Sequence, residues 1–352
     1  MLYRHQGYPE YNKSVPYWID PLTDSRWTEF IDRHPSSSVF HTTGWLRALQ
    51  KTYGFGPTAV TTSPPGGPLE NGIPFCRISS IVTGRRLSSL PFSDHCQPLA
   101  EPEEMASLLK ESIENCKRKR FKYLELRPLS FPAPPGLVSS QKFLFHKLDL
   151  HPSKDEIFQK LHPSCIRRKI RRADREGLST EEGTSDALLD AFFTLQVHTR
   201  RRHGLPPQPK RWFRNLVAEM NGKATIRVAY HGERPVASIL TLRHKKTETY
   251  KYGGSESEDN KLGGMPLLFW QTIEDAKADG LEMLDLGRCD LENSGLAIFK
   301  EHLGAERQEI VYFRYPKKLP EGRSLDIAAK VFSKLPYPIL KLAGRILYRH
   351  IA

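Results

Sequence analysis

Met283-Leu-Asp-Leu-Gly-Arg-Cys-Asp-Leu-Glu-Asn-Ser-Gly-Leu-Ala-Ile-Phe-Lys-Glu-His-Leu-Gly-Ala305 is the most distinctive stretch of this chain. Residues 283–286 alternate as a strand, a polar turn follows, and residues 296–302 read as a helix carrying Phe299-Lys300. On its C-terminal side, 310–315 alternates as a last strand. On its N-terminal side, Gly263-Gly264-Met265-Pro266 opens a helix through 277, and three strands precede it at 225–230, 236–243 and 247–252. Upstream of those lie helices at 187–203 and 212–220, a basic helix at 166–175 and a strand at 143–150.

The first half repeats most of that order at shorter length. Helical segments at 26–53 are followed by strands at 58–62, 73–82 and 85–90. A helix then opens at Pro102-Glu103-Glu104 and closes on Lys117-Arg118-Lys119-Arg120, with acids and cations placed as the helix dipole favours, and a strand follows at 123–126. Lys122-Tyr-Leu-Glu-Leu-Arg127 echoes Glu282-Met-Leu-Asp-Leu-Gly287, each placing an acid between two leucines after a helix. This order predicts an α/β protein with mixed sheets and helices on both faces. The stretch Phe131-Pro-Ala-Pro-Pro-Gly136 removes donors and favours extended backbone, so the domain boundary is expected there: 1–135, 136–320 and a tail of 321–352.

With 352 residues, two domain cores are expected, and 38% apolar with 26% charged residues is a globular composition. Lys plus Arg exceeds Asp plus Glu by 53 − 40 = +13, which favours phosphate-bearing partners: a nucleotide, RNA or an anionic membrane face. Five scattered cysteines with no CxxC pair argue against a disulfide framework and against a zinc site, so no metal is expected. The N-terminal residues lack an apolar signal core and no stretch reaches the roughly 20 apolar residues of a membrane span, so the expected location is the cytoplasm. GxSxG, HExxH, Walker and GxGxxG signatures are absent from the sequence, which removes most support for hydrolase, zincin and Rossmann readings.

Asp285, Gly287, Arg288, Gly295, Phe299, Lys300, Gly304 and Ala305 together resemble the FemAB-like peptidyltransferases, whose strand Phe-Asp-Phe-Gly-Arg leads through a Gly-Leu pair to Phe-Lys and an aromatic-Gly-Ala. Leu303 stands where that aromatic is usual. Phe40-His41 to Trp45, Gly84-Arg-Arg-Leu-Ser-Ser-Leu-Pro91 and Arg167 to Ala173 are further matches, so the resemblance spans most of the chain. It implies two tandem GNAT-like domains, the N-terminal one binding substrate and the C-terminal one catalysing acyl or aminoacyl transfer to an amine. It also implies an acceptor that is a phosphorylated cell-envelope precursor, either a peptidoglycan intermediate or an amino sugar of an exported polysaccharide. The donor would be acyl-CoA or aminoacyl-tRNA, with no tightly bound cofactor. Two departures stand out: no heptad pair suggests a coiled-coil arm, and the usual Gln/Arg-x-x-Gly-x-Gly/Ala spacing is not kept around Gly263 and Gly264, the residues in the place of a cofactor pyrophosphate loop.

By the same resemblance Lys300 lies at the reaction centre beside Phe299, where a fixed ammonium stabilises the oxyanion formed when an amine attacks an ester or thioester. A helix lysine otherwise solvates a surface. Asp285 and Arg288, at a strand end, would orient substrate or else pair with each other. Tyr250 and Tyr252 alternate onto one strand face and would line the acceptor groove or pack in the core. Arg167 and Arg171 of the basic helix would grip a pyrophosphate or tRNA backbone, or form a solvated face. Arg200-Arg201-Arg202 with Lys210, Arg211 and Arg214 brackets Trp212 and allows the same two readings, and Arg47, close after Trp45, stands where relatives place a nucleotide-binding cation.

In the tail no acid occurs from Ile327 to Ala352, whereas Lys330, Lys334, Lys341, Arg345 and Arg349 supply five cations. Ile339, Leu342, Ala343, Ile346 and Leu347 form one helical stripe, suited either to an anionic inner-membrane face or to the protein's own core. A reading of another class stays open on these residues: a non-catalytic module that binds RNA or a membrane surface on an acyltransferase scaffold.

Overall fold

The computed structural model describes residues 15–130, 132–316 and 325–350. Its first half contains β1 (Tyr17–Ile19), α1 (Arg26–Arg33), α2 (Thr43–Tyr53), β2 (Gly56–Thr61), β3 (Ile73–Ser80), β4 (Gly84–Ser88), α3 (Pro102–Arg118) and β5 (Tyr123–Leu126). The chain continues through β6 (Val138–Asp149), α4 (Lys154–Lys160), a π-turn at Pro163–Arg167, α5 (Arg168–Arg175), β7 (Ser179–Gly183), α6 (Asp186–Arg202) and α7 (Lys210–Glu219). β8 (Ala224–His231), β9 (Arg234–His244), β10 (Thr247–Ser255), α8 (Gly264–Ala278), β11 (Met283–Asp290), α9 (Ser294–His302), β12 (Glu306–Tyr315), α10 (Leu325–Phe332) and α11 (Tyr337–Leu347) complete it. Phe131, in the proline-rich stretch, and residues 321–324, at the start of the expected tail, lie outside the described residues.

Among the described residues the strands form one mixed sheet. Twelve strands run in the order β1-β2-β3-β4-β5-β12-β6-β11-β10-β9-β8-β7. Read inward from either edge, the two halves match strand for strand: a meander of antiparallel strands, a parallel pair (β4 with β5, β10 with β11) joined through α3 or α8, and a last antiparallel strand. That last strand is exchanged. β12, from the end of the chain, completes the first half against β5, while β6 completes the second against β11, and the two pair with each other from Glu306 to Arg314. Exchange joins the duplicated halves into one sheet, a consequence that the order of elements along the chain does not display.

The duplication extends to the helices. Trp45 on α2 and Trp212 on α7 meet edge to face at 5.3 Å and 90°, a geometry that suits the ring quadrupoles. Thr42 caps α2 by accepting the Trp45 N–H at 3.3 Å. Around the tryptophans, Phe40, Leu49, Phe192, Phe213, Leu240 and Tyr348 form a core on one face of the sheet that draws on both halves and on the tail. The other face of the second half is covered by the π-turn, α5 and α8, through Ile166, Ile170, Leu268, Phe269 and Ile273. α11 lies on the body through Leu340, Gly344 and Tyr348, and a Cβ on Gly344 would fall 1.9 Å from the Pro207 carbonyl oxygen, so only glycine allows this approach.

Candidate active site

Adjacent strands β10 and β11 each carry a bulge. In β11 the register slips by one residue between Asp285, opposite Lys147, and Arg288, opposite Phe145. In β10 it slips between Tyr250, opposite Thr241, and Tyr252, opposite Leu240. Bulges re-aim side chains and free carbonyls from the ladder. Gly287 sits in the first bulge at φ +69°, and its N–H donates to Asp285 Oδ1 at 2.7 Å.

Lys300 reaches back from α9 into that bulge, 2% exposed, donating to the carbonyls of Gly287 at 2.9 Å and Arg288 at 3.2 Å. An ammonium has three hydrogens, so one is left for a ligand. Burial holds this ammonium below the ordinary lysine value, while Cys289, Asp94 and Asp285 pull the other way. Lys300 forms part of the wall of a cavity of about 280 Å³, together with Tyr250, Ser255, Met265, Phe269 and Phe299. Phe269 stands edge-on to Tyr250 at 4.8 Å and to Phe299 at 5.6 Å, making one aromatic side. Burial and the Asp94 charge push the Tyr250 phenol well up, so it stays protonated and can donate.

Lys169 and Asn260 are shared with a second, wider cavity of about 780 Å³ lined by Arg168, Arg172, Arg175 and Lys261. The basic helix therefore does border a cavity, but through other cations than Arg167 and Arg171. Burial of Ile166, Ile170 and Ala173 sets its rotation and turns positions 168, 172 and 175 to that side. Arg167 donates to Gln159 Oε1 at 2.9 Å, and Arg171 is exposed.

Asp285 and Arg288 do not pair with each other; each meets the first half. His95 Nε2 lies 3.0 Å from Asp285 Oδ2 with both side chains buried. Arg288 stacks 3.8 Å from the Phe143 ring centre, 5.3 Å from Tyr312, and 3.9 Å from Asp94. Asp94 also accepts from Lys251 at 2.8 Å. Burial raises the Asp94 carboxyl, but Lys251 and Arg288 outweigh it and hold it below its ordinary value; burial pushes Lys251 down despite its partner. Asp94, His95 and Lys251 were not singled out from sequence. No local sequence pattern marks them: Lys251 lies at the β10 register slip, and Asp94 and His95 stand in the connection between β4 and α3.

That slip also corrects the two tyrosines. Tyr250 and Tyr252 face opposite sides: Tyr250 packs beside Phe269, whereas Tyr252 accepts from Trp212 Nε1 at 2.9 Å in the opposite core. Trp45 is fully buried in that same core, away from both cavities, and Arg47 points out from α2. Gly263 and Gly264 serve close approach. A Cβ on Gly263, at φ +91°, would lie 2.2 Å from the Lys169 carbonyl oxygen, and one on Gly264 would lie 3.1 Å from the Ala237 Cβ. The backbone of α5 thus presses on the start of α8.

His162, Cys165 and His302 bring ligand-type atoms within 4.8 Å of one another. His162 Nδ1, however, already accepts the Cys165 N–H at 3.1 Å, capping the π-turn.

Residues 164–301 match the Acetyltransferase (GNAT) domain family. Over 143 residues the chain is 27% identical to the UDP-N-acetylmuramoylpentapeptide-lysine N(6)-alanyltransferase of Weissella viridescens, a match covering 40% of this chain and 42% of that one. The chain therefore spans less than half the length of this curated relative. The fold is similar to the crystal structure of FemX, with TM-score 0.68 at 14% identity over 85% of this chain and 96% of that one. It is also similar to a tandem GNAT protein from the clavulanic acid biosynthesis pathway, with TM-score 0.54 at 12% identity over 85% of this chain and 98% of that one. The GNAT match thus covers the segment that holds the bulged β10 and β11, and the likeness to FemX is one of fold across both halves.

Proposed function

We propose that the chain is an N-acyltransferase that moves an aminoacyl group from an aminoacyl ester onto an amine of a phosphorylated cell-envelope precursor. The observation that carries this reading is the buried Lys300 ammonium, tied by two carbonyls and bordering the aromatic cavity with one hydrogen to spare. As the acceptor amine attacks the acyl carbonyl, a C–N bond forms and negative charge gathers on the carbonyl oxygen. The Lys300 ammonium opposes that charge from a site with little water. The tetrahedral intermediate then expels the ribose oxygen, breaking the C–O bond. Tyr250, held as a phenol, donates to the departing oxygen, and the proton lost by the attacking nitrogen restores it. Arg168, Arg172 and Arg175 beside the cavity suit the phosphates of precursor or donor.

An ester donor is favoured over acyl-CoA by the Lys169 carbonyl at the start of α8. It fills, with the backbone of α5, the space beside Gly263 where a GNAT domain would hold the CoA pyrophosphate, and the glycine spacing of that loop is not kept. The relative named as an alanyltransferase of a UDP-linked pentapeptide points to the same acceptor class.

Labelled aminoacyl-tRNA and a panel of acyl-CoAs, each offered with UDP-linked muramoyl pentapeptide, test the proposal. Wild type is expected to transfer label from the tRNA, with Lys300→Met and Tyr250→Phe each slower by at least about 100-fold. Label moving only from acyl-CoA would reassign the donor, and full turnover by Lys300→Met would remove the site.

A further inference from the structure

α11 has two unlike faces. Leu340, Gly344 and Tyr348 are buried against the body, whereas Ile339, Leu342 and Ile346 are 52%, 54% and 55% exposed. At ~100° per residue these three fall together on the side opposite the buried set. The sequence stripe, suited either to a membrane face or to the core, is therefore largely the outer one.

The docking is firm. Tyr348 Oη bonds to the Arg200 guanidinium and lies against Phe92 at 5.7 Å, and His350 Nδ1 meets Ser80 Oγ at 2.9 Å. The outward direction of the apolar stripe follows from the body's own hold on the helix.

Cations border the stripe along one side. Arg345 and Arg349, one turn apart, line a cavity of about 460 Å³ between α11 and the start of α7, with Lys210 and Arg211 across it. Lys210 pairs with Asp190, and Arg211 donates to the Lys51 carbonyl at 2.8 Å. Arg345 and Arg349 make no hydrogen bond or ion pair among the described residues. From Ile327 to the last residue no acid balances the five cations.

We infer that α11 is a docking face for an anionic phospholipid bilayer. Ile339, Leu342 and Ile346 enter the headgroup boundary, while Arg345 and Arg349 meet lipid phosphates at its edge. An apolar stripe flanked by cations on an otherwise anchored helix is the pattern of a helix that lies in the interface plane. Unneutralised charges gain most from a negative surface. No helix among the described residues is long and apolar enough to cross a membrane. The inference stands apart from the chemistry of the cavity, because no residue of α11 lines it.

Flotation of the full chain with vesicles tests it. Binding is expected to phosphatidylcholine vesicles that include phosphatidylglycerol and not to phosphatidylcholine alone. Arg345→Glu with Arg349→Glu, and separately Leu342→Ser with Ile346→Ser, should each lower partitioning by at least about tenfold with thermal midpoints unchanged. In the full chain, Ile346→Trp should gain fluorescence quenched by brominated phosphatidylglycerol, which reports insertion without depending on a loss. Absence of flotation, equal binding to neutral vesicles, or variants that bind as wild type would overturn the inference. So would a dimer in solution that Leu342→Ser with Ile346→Ser dissolves, since a second copy would then cover the face.

Discussion

Lys300 Nζ donates to the Gly287 carbonyl across 2.9 Å, and the bond is available because Gly287 stands at φ +69° in the bulge of β11. The lysine is thus fixed by backbone, not by a carboxylate, and keeps its charge at the cavity wall without a counter-ion to neutralise it. Its folded-state pKa lies below 10.5, the ordinary lysine value, chiefly through burial. Between those two values the unfolded chain binds more protons, so the stability contribution of this group rises with pH there. Activity runs the other way, since the ammonium is lost as pH rises through the folded value. The transfer rate should show an alkaline decline below pH 10.5 that moves upward in Lys300→Arg. An identical decline in both proteins would assign it to another group.

Asp94 links the first half to the site through Lys251 and Arg288. Replacing it by Asn leaves the Lys251 ammonium buried without its partner, so Asp94→Asn should cost about 3–5 kcal/mol in urea unfolding, largely recovered by adding Lys251→Met. With its folded pKa below the ordinary 3.8, Asp94 stabilises the fold fully above that value, and the contribution is lost as pH falls through the folded one. Stability of wild type should therefore fall in acid by more than that of the double variant. Equal acid sensitivity would contradict the pairing.

Gly287→Ala tests the bulge itself. Its Cβ would meet Asp94 Oδ2 at 3.0 Å and would force a side chain into the left-handed region, a cost of about 1–2 kcal/mol. We expect that loss in thermal or urea unfolding, with a fall in turnover of at least about tenfold as the carbonyl turns away from Lys300. Unchanged turnover would mean that the carbonyl does not position the lysine.

The basic mouth makes a separable prediction. Arg168→Ala with Arg172→Ala should raise KM for the phosphorylated substrate several-fold and weaken its salt dependence, with kcat little changed. Arg47→Ala, on the outward face of α2, is the matched control and should leave KM alone. A KM effect confined to Arg47 would place the phosphates elsewhere.

The duplication was legible in the order of elements, and Glu125 and Asp285, the acids of the echo, are both buried on strands next to the exchanged ones. Trp45-Leu-Arg-Ala-Leu49 and Trp212-Phe-Arg-Asn-Leu216 repeat the same spacing in the helices before β2 and β8, a second echo that only the shared tryptophan, arginine and leucine positions carry. Lys300 and Phe299 stood out through the sequence that follows β11, and they do line the cavity. What stayed hidden depends on geometry without a local pattern. A bulge at Lys251 breaks the period of two on which the pairing of Tyr250 with Tyr252 relied. The meeting of His95 with Asp285 spans 190 residues and requires the two halves to share one sheet. Rotation of α5, set by Ile166 and Ile170, decided which of its cations border a cavity.

Single-turnover transfer from labelled aminoacyl-tRNA to UDP-linked muramoyl pentapeptide, measured for wild type and Lys300→Met at matched folded fraction, separates a catalytic lysine from a structural one. The chemical step is expected to be slower by at least about 100-fold in the variant, a loss of roughly 2.7 kcal/mol of transition-state stabilisation, with substrate binding retained. Equal rates for the two proteins would contradict it and would leave Lys300 a structural tie between α9 and the β11 bulge.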